Sequence, residues 1–195
     1  MPVEKIQTEQ IDYSQSPVKQ LLKRYEYARQ VKDQWTSTFE ECYEYALPQR
    51  ESFFTETPGR RRTDRIFDET AVVGVQEFAS RLQSGIVPNY ARWADFVAGT
   101  EIPKELQKDA NLLLDQVTEY VFEILQNSNF SQEVHESFLD IALGTAVLLV
   151  EEGDATNPIV FKSIPLPHVY LTSGHDDKVD HVFRRRKIKA KEEFE

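Results

Sequence analysis

The sequence predicts an α+β fold, with helices before residue 145 and mostly strands after it. Between residues 18 and 143, apolar side chains recur every three or four positions, which is the period of amphipathic helices. After Gly144, short apolar or alternating runs are separated by turn-forming residues, which is typical of strands joined by turns. We therefore expect four helices and about five strands.

The first predicted helix is the longest and spans about 30 residues. Ser16 and Pro17 form an N-cap followed by proline at the first helical position, and Pro48 ends the pattern. At 1.5 Å per residue this helix would be about 45 Å long, which is more typical of an assembly subunit than of a small enzyme. The polar residues 1–15 before it are expected to be flexible.

Three further helices are predicted at residues 68–83, from 103 to about 126, and at 131–143. On the third of the four helices we expect a single inward stripe, formed by Leu106, Ala110, Leu113, Leu114, Val117, Val121, Ile124 and Leu125. The predicted strands are 92–98, 146–150, 159–164, 169–171 and 178–188.

These elements divide the chain into a flexible N-terminus (1–15), a mainly helical region (16–145) and a β-rich region (146–195). Residues 189–195 are predicted to be the first turns of another helix, cut off without a cap. We take this as a hypothesis that the 195 residues are the front part of a longer protein.

The charge distribution favours oriented contacts over general coating of nucleic acid. The chain has a net charge of −10, yet residues 59–65 carry +3 and residues 184–189 carry +5, leaving −18 on the remainder. The two clusters contain the candidate contact residues, which we assign to a subunit interface or to nucleic acid. They are Arg60, Arg61, Arg62, Arg184, Arg185 and Arg186. Arginine suits both roles because its planar fork pairs with carboxylate or phosphate.

The residues indicate no enzyme and no cofactor. The sequence has no phosphate-binding loop, no nucleophile elbow and only one cysteine, Cys42. The best metal-like cluster is His175-Asp176-Asp177 with Asp180 and His181, which we interpret as a polar hairpin turn leading into a strand. Alternation is expected to place Asp180 and His181 on opposite faces of that strand. No apolar run approaches the roughly 20 residues that span a bilayer, so no membrane partner is expected.

An ordered series of segments resembles a known family. It begins with 43–50 (YEYALPQR), continues through 65–71 (RIFDETA) and 78–88 (FASRLQSGIVP), and then reaches 92–96 (RWADF). It ends with 143–151 (LGTAVLLVE), 164–170 (IPLPHVY) and 178–186 (KVDHVFRRR). Across residues 17–195 this order resembles the N-terminal, wing-like part of the portal, or head-to-tail connector, protein of short-tailed bacteriophages.

The resemblance implies a non-enzymatic structural subunit of a ring, normally of twelve copies, at one capsid vertex of the virion. Such a ring would be assembled in the bacterial cytoplasm. It would contact capsid protein, a tail adaptor protein and the terminase motor. Double-stranded DNA would pass through its channel during genome packaging and ejection. Family members are several hundred residues long, so the stem and clip parts would be missing from this chain.

Two other functions remain open at the level of sequence. The chain could be a stand-alone α+β interaction module whose long first helix docks on a partner, or an enzyme using a metal at residues 175–181. Oligomer size separates the ring subunit from the module, and metal content tests the enzyme.

Overall fold

The computed structural model describes residues 17–50, 66–174, 176 and 178–186, which form five α-helices and four strands. This confirms the α+β class. The helices are α1 (Pro17–Asp33), α2 (Thr36–Ala46), α3 (Thr70–Ile86), α4 (Lys104–Asn127) and α5 (Phe130–Leu143). The strands are β1 (Val147–Glu152), β2 (Ile159–Ile164), β3 (Val169–Ser173) and β4 (Val179–Arg184). The predicted flexible N-terminus and the predicted final helix lie outside the described residues.

The chain divides into two compact units. Unit 1 combines residues 1–37 with 169–195, so α1 and the β3–β4 hairpin come from opposite ends of the sequence. Unit 2 is residues 38–168 and contains most of α2, helices α3 to α5 and the β1–β2 hairpin. Each unit therefore has both helices and strands. None of the described helices has the length and apolar character needed to cross a membrane.

Unit 1 is held together by aromatic packing between α1 and the β3–β4 hairpin. Ala28 on α1 is completely buried. One turn earlier, the Tyr25 ring meets Tyr170 edge-on at 5.1 Å between centroids and Phe183 at 5.9 Å. Aromatic pairs in this geometry contribute about 0.5–1.5 kcal/mol beyond the area they bury.

The core of unit 2 joins the end of α2 to α3, α5 and the segment after β2. Its buried apolar members are Tyr43, Leu47, Ala79, Val134, Phe138, Leu139 and Leu166. The helical spacing of these side chains on α5 and α3 explains why both helices were predictable, and α5 ends at Gly144 as expected.

The prediction of a single long first helix is wrong, because the helix is interrupted at Gln34 and Trp35. The Lys32 carbonyl accepts from the Trp35 amide at 2.9 Å and from the Thr36 hydroxyl at 3.2 Å. A threonine hydroxyl that bonds the backbone competes with the regular helical ladder. Two shorter helices, of 17 and 11 residues, replace the predicted helix.

The predicted strand at 92–98 is not a strand, because the described chain offers no strand that pairs with it. The segment lies along α4, whose side chains bond its backbone. The Phe96 amide donates to the Thr118 hydroxyl at 3.2 Å, and the Ala98 amide donates to the Asn111 side-chain oxygen at 2.8 Å. Trp93 packs edge-on against Phe122 on the same helix, at 5.4 Å between ring centroids. The alternating pattern thus belongs to an extended segment, two of whose backbone amides donate hydrogen bonds to side chains of α4.

The other strands lie where the sequence predicts them, within two residues at most ends. β4 is shorter than predicted and ends at Arg184. β1 and β2 pair antiparallel from Val147 with Ile164 to Glu152 with Ile159. At their turn, a Cβ on Gly153 would lie 1.9 Å from the Asn157 carbonyl oxygen, so the close approach requires glycine there.

The edge of β2 away from β1 is completed by side chains from the start of α5. The Asn129 amide pairs with both backbone groups of Phe161, donating to its carbonyl at 2.7 Å and accepting from its amide at 3.0 Å. The Glu133 carboxylate accepts from the Ser163 amide at 2.7 Å. These side chains substitute for a third strand and satisfy backbone groups that burial would otherwise leave unpaired.

Candidate functional site

The most prominent feature of the structure is the separation of charge between the two units. Unit 1 contains thirteen Lys or Arg and eleven Asp or Glu, a net charge of +2. Unit 2 contains ten Lys or Arg and twenty-two Asp or Glu, a net charge of −12. The acidic body inferred from the sequence is therefore unit 2, and unit 1 is slightly basic. Surfaces of opposite sign favour and orient association.

The second arginine cluster lies on the basic unit, where all three of its side chains are exposed. Arg184 is the last residue of β4, and Arg185 and Arg186 follow it. The Arg185 guanidinium lies 5.9 Å from the centroid of the Tyr170 ring. Arg60, Arg61 and Arg62 lie outside the described residues, so the structure does not bring the two clusters together or separate them.

Lys32 is a half-buried cation beside this cluster that the sequence analysis did not single out. Its ammonium donates to the Val169 carbonyl at 2.7 Å and lies 4.3 Å from the centroid of the Tyr170 ring. The pKa of Lys32 is lowered to about 8, first by burial and then by the positive charge of Arg185, while Asp33 partly opposes both.

We expect this lowered pKa to make unit 1 more stable as pH rises. Between about pH 8 and the usual lysine value of 10.5, the unfolded chain binds more protons at Lys32 than the folded chain does. The free energy of unfolding contributed by Lys32 therefore rises across that interval and is constant below it. Urea unfolding of Lys32→Met and of the unsubstituted protein from pH 7 to 10.5 measures this, and the variant is expected to lack the increment. An equal pH dependence in both proteins would contradict the assignment.

The candidate metal cluster does not resemble a ligand set in its described part. A bulge in β4 pairs Ser173 with Val179 but Thr172 with His181, which leaves Asp180 as the extra residue. Asp180 and His181, predicted on opposite faces, consequently contact each other at 2.9 Å. Arg24 donates to the other His181 ring nitrogen at 2.8 Å, so both nitrogens have protein partners.

Two further members of that cluster, His175 and Asp177, lie outside the described residues. Among the residues that are described, no three His, Cys, Asp or Glu side chains form a group that could hold a metal ion.

A buried ionic network in unit 2 also escaped the sequence analysis. Asp140 on α5 is fully buried, and its carboxylate accepts from the Tyr43 hydroxyl at 2.7 Å and from Arg50 at 2.6 Å. Arg50 also donates to Glu136 at 2.5 Å and to the Ser163 hydroxyl at 2.8 Å. The signal that could have found it is a lone carboxylate between Leu139 and Ile141 in an apolar helix.

The network changes the pKa of its members in directions that its charges explain. Burial raises the pKa of Tyr43 well above its ordinary value, and the adjacent Asp140 carboxylate raises it further. Burial alone would lower the pKa of Arg50, but the hydrogen bonds and charges of Asp140 and Glu136 outweigh it and raise the pKa. Arg50 thus stays cationic and connects the segment that follows α2 to Glu136 and Asp140 on α5.

The α4 helix exposes much of the apolar stripe that we expected to face inward. Thr118 is the one residue of α4 that is fully buried, on the side that contacts residues 92–98. Leu106, Leu113 and Val117 are exposed, although all three were predicted to be inside. An exposed apolar row of this kind marks a surface for interaction.

Comparison with known proteins identifies relatives across almost the entire chain. Residues 18–194 match the family described as bacteriophage head to tail connecting protein. A relative from Bordetella phage BPP-1, named as a probable portal protein, is 29% identical over 180 residues. The alignment covers 89% of this chain and 32% of that relative, so the chain spans about a third of the relative's length.

Proposed function

Because the chain belongs to the bacteriophage head to tail connecting protein family, we propose that it forms part of the subunit of a phage portal ring. The observation that supports the proposal most strongly is the match across residues 18–194, which includes both units. The role is structural and not enzymatic: the subunit contributes surfaces to an assembly, and its buried charges serve to hold the fold.

In this proposal twelve copies form a ring at one vertex of the capsid, as part of the virion, and assemble in the bacterial cytoplasm. The ring joins head to tail through capsid protein and a tail adaptor protein. A terminase motor drives double-stranded DNA inward through the central channel, and the DNA leaves by the same route. An acidic channel wall would repel DNA, which favours sliding over binding.

The separation of charge suits a heterologous contact, in which different surfaces of neighbouring copies meet and the rotation closes into a ring. Unit 1, with a net charge of +2, would face unit 2 of the next copy, with −12. We assign the exposed Arg184, Arg185 and Arg186 to this contact. Arg60, Arg61 and Arg62 are assigned to the same contact on the charge of their segment alone.

Electron microscopy of negatively stained protein tests the ring, using the purified chain and the full-length natural protein at high concentration. Rings with a central hole and cyclic symmetry are expected. Monomers from the full-length protein, at concentrations where the proposal expects rings, would contradict it.

Charge reversal at the exposed cluster provides the test of its assigned role. The triple variant Arg184→Glu, Arg185→Glu, Arg186→Glu is expected to reduce ring formation by at least about tenfold, because several charge pairs at roughly 0.5–1 kcal/mol each would become repulsions. Sedimentation velocity measures the fraction in rings. Arg81→Glu, which reverses an exposed charge on the acidic unit, is the control expected to assemble normally. Normal rings from the triple variant would contradict the assignment.

The alternative of a stand-alone interaction module is not favoured, because the family match extends from α1 to beyond β4 and not over one docking helix.

A further inference from the structure

The α4 helix has two apolar faces, and only one of them is covered within the described residues. The covered face includes Thr118 and Phe122, which contact residues 92–98. The second face is centred about 140° away around the helix, at 100° per residue. It repeats every seven residues in two interleaved rows, which is the spacing of a helix that packs along another helix. The rows are Leu106, Leu113, Tyr120 and Ala110, Val117, Ile124.

Exposure along the second face is too high for a core stripe. Leu106 is 57% exposed, Leu113 62%, Val117 41% and Tyr120 64%. We call the two rows together, six residues in all, the outer stripe of α4. Acidic side chains, among them Glu105 and Asp109, follow one border of it, and α4 as a whole carries two Lys against five Asp or Glu. The outer stripe is therefore an apolar surface with an acidic border on one side.

The first turns of α1 show the complementary composition. Val18, Leu21 and Leu22 form an apolar cluster at i, i+3 and i+4, with exposed fractions of 64%, 51% and 54%. Lys19 and Lys23 are exposed beside them, and α1 carries five Lys or Arg against two Asp or Glu. This cluster is apolar within a basic rim, on the unit whose net charge is positive.

We propose that the outer stripe of α4 is the docking surface for the first turns of α1 from a second copy of this chain. The inference rests on the proposed ring, for which it names the two contacting surfaces. The apolar cluster covers the part of the outer stripe around Leu106, Ala110 and Leu113, while Lys19 and Lys23 approach Glu105 and Asp109 on its acidic border. Because the two surfaces differ, the contact is heterologous and propagates from one copy to the next.

Charge and size distinguish this contact from its competitors. Two outer stripes packed on each other would bring their acidic borders together, and like charges oppose such a pair. The first turns of α1, residues 17–23, span about 10 Å, so a strip about 10 Å wide covers roughly 100 Å². A stable interface buries about 800 Å² per partner, so this contact is one of several that a ring subunit makes and not a dimer interface.

Cysteine cross-linking between two differently tagged chains tests the pairing. Each chain carries Cys42→Ala to remove the native thiol, and then either Leu22→Cys on α1 or Leu113→Cys on α4. Mixed at ring-forming concentration and oxidised, they are expected to give mainly the cross-link between the two tags. Leu112→Cys is the matched control, because Leu112 is 66% exposed but lies on a different side of α4. It is expected to cross-link to Leu22→Cys about tenfold less.

A charge exchange provides the second test and separates a protein partner from nucleic acid. The variant Lys19→Glu, Lys23→Glu is expected to lose about tenfold in association with the unsubstituted chain. It should recover when its partner carries Glu105→Lys, Asp109→Lys, because these two acids have the same four-residue spacing on α4 as the lysines on α1. If the α1 lysines instead bind nucleic acid, this variant loses binding to duplex DNA, keeps its association with the unsubstituted chain, and the inference is overturned.

The outcomes separate this inference from the proposed function. Rings in which Leu22→Cys cross-links to Leu112→Cys and Leu113→Cys equally, or in which the outer stripes cross-link only to each other, would overturn the inference and leave the proposed ring intact. Failure of the full-length natural protein to form any ring would overturn both.

Discussion

Replacing Arg50 with methionine is expected to lower the free energy of unfolding of unit 2 by about 3–5 kcal/mol. Arg50 and Asp140 form an ion pair in which the arginine side chain is 13% exposed and the carboxylate 0%. Methionine retains much of the side-chain volume but leaves the Asp140 charge buried with Tyr43 as its remaining described donor. An uncompensated buried charge costs more than the intact pair contributes. Urea or thermal unfolding measures the loss.

A second substitution separates the buried charge from the lost contacts. Arg50→Met combined with Asp140→Asn removes the charge while an amide oxygen still accepts from the Tyr43 hydroxyl, and most of the lost stability should return. Arg81→Met breaks an exposed ion pair with Glu77 and serves as the control, with an expected change within about 0.5 kcal/mol. If Arg50→Met and Arg81→Met destabilised the protein equally, the network would have no special role.

Asn129→Ala is expected to lower the free energy of unfolding by about 2–4 kcal/mol. The Asn129 amide donates to the Phe161 carbonyl and accepts from the Phe161 amide, at the edge of β2 that no described strand covers. Phe161 is 7% exposed, so water does not readily replace the lost partners. Each buried backbone group left unsatisfied costs about 1–3 kcal/mol.

Asn127→Ala is the matched control, because Asn127 is an exposed asparagine at the end of α4. Alanine is the better helix former there, so this change is expected to be neutral or slightly stabilising. Hydrogen exchange localises the effect: in Asn129→Ala, the Phe161 amide should exchange much faster than in the unsubstituted protein. An unchanged exchange rate at Phe161 would show that Asn129 does not complete the strand edge.

The helices and strands that the sequence predicted correctly are those that end at a nearby glycine or proline. α5 is amphipathic and ends at Gly144, and β2 is an apolar run that ends before Pro165. The break at Trp35 was missed because a run of apolar positions continues across it. At the interruption the Thr36 hydroxyl and the Trp35 amide both bond to the Lys32 carbonyl, and apolar spacing does not report such bonds.

The sequence pattern did not indicate which element each segment would pack against. The alternation in 92–98 predicts extended chain, but it does not indicate that the amides of Phe96 and Ala98 bond to a helix. Periodicity in α4 likewise predicts apolar faces without showing which of them the same chain covers. The structure leaves Leu113 exposed, although its position in the pattern made it an expected core residue.

Sites assembled from distant residues were also beyond reach of the sequence. Arg50 and Asp140 are 90 positions apart, so the apolar neighbours of Asp140 could indicate its burial but not that Arg50 is its partner. The charge clusters were visible in the sequence, but the pattern did not show that a chain of net charge −10 separates into one unit of +2 and one of −12. That separation depends on residues 1–37 and 169–195 joining in one unit.

Immunogold labelling of intact phage particles tests the central claim most directly, because a portal ring occupies one vertex. Antibody against the purified chain, applied to particles opened gently at the head–tail junction, should place gold at that single vertex. Empty heads without tails should be labelled at one vertex in the same way. Label distributed over the head or along the tail, or particles that contain none of the protein, would contradict the portal assignment.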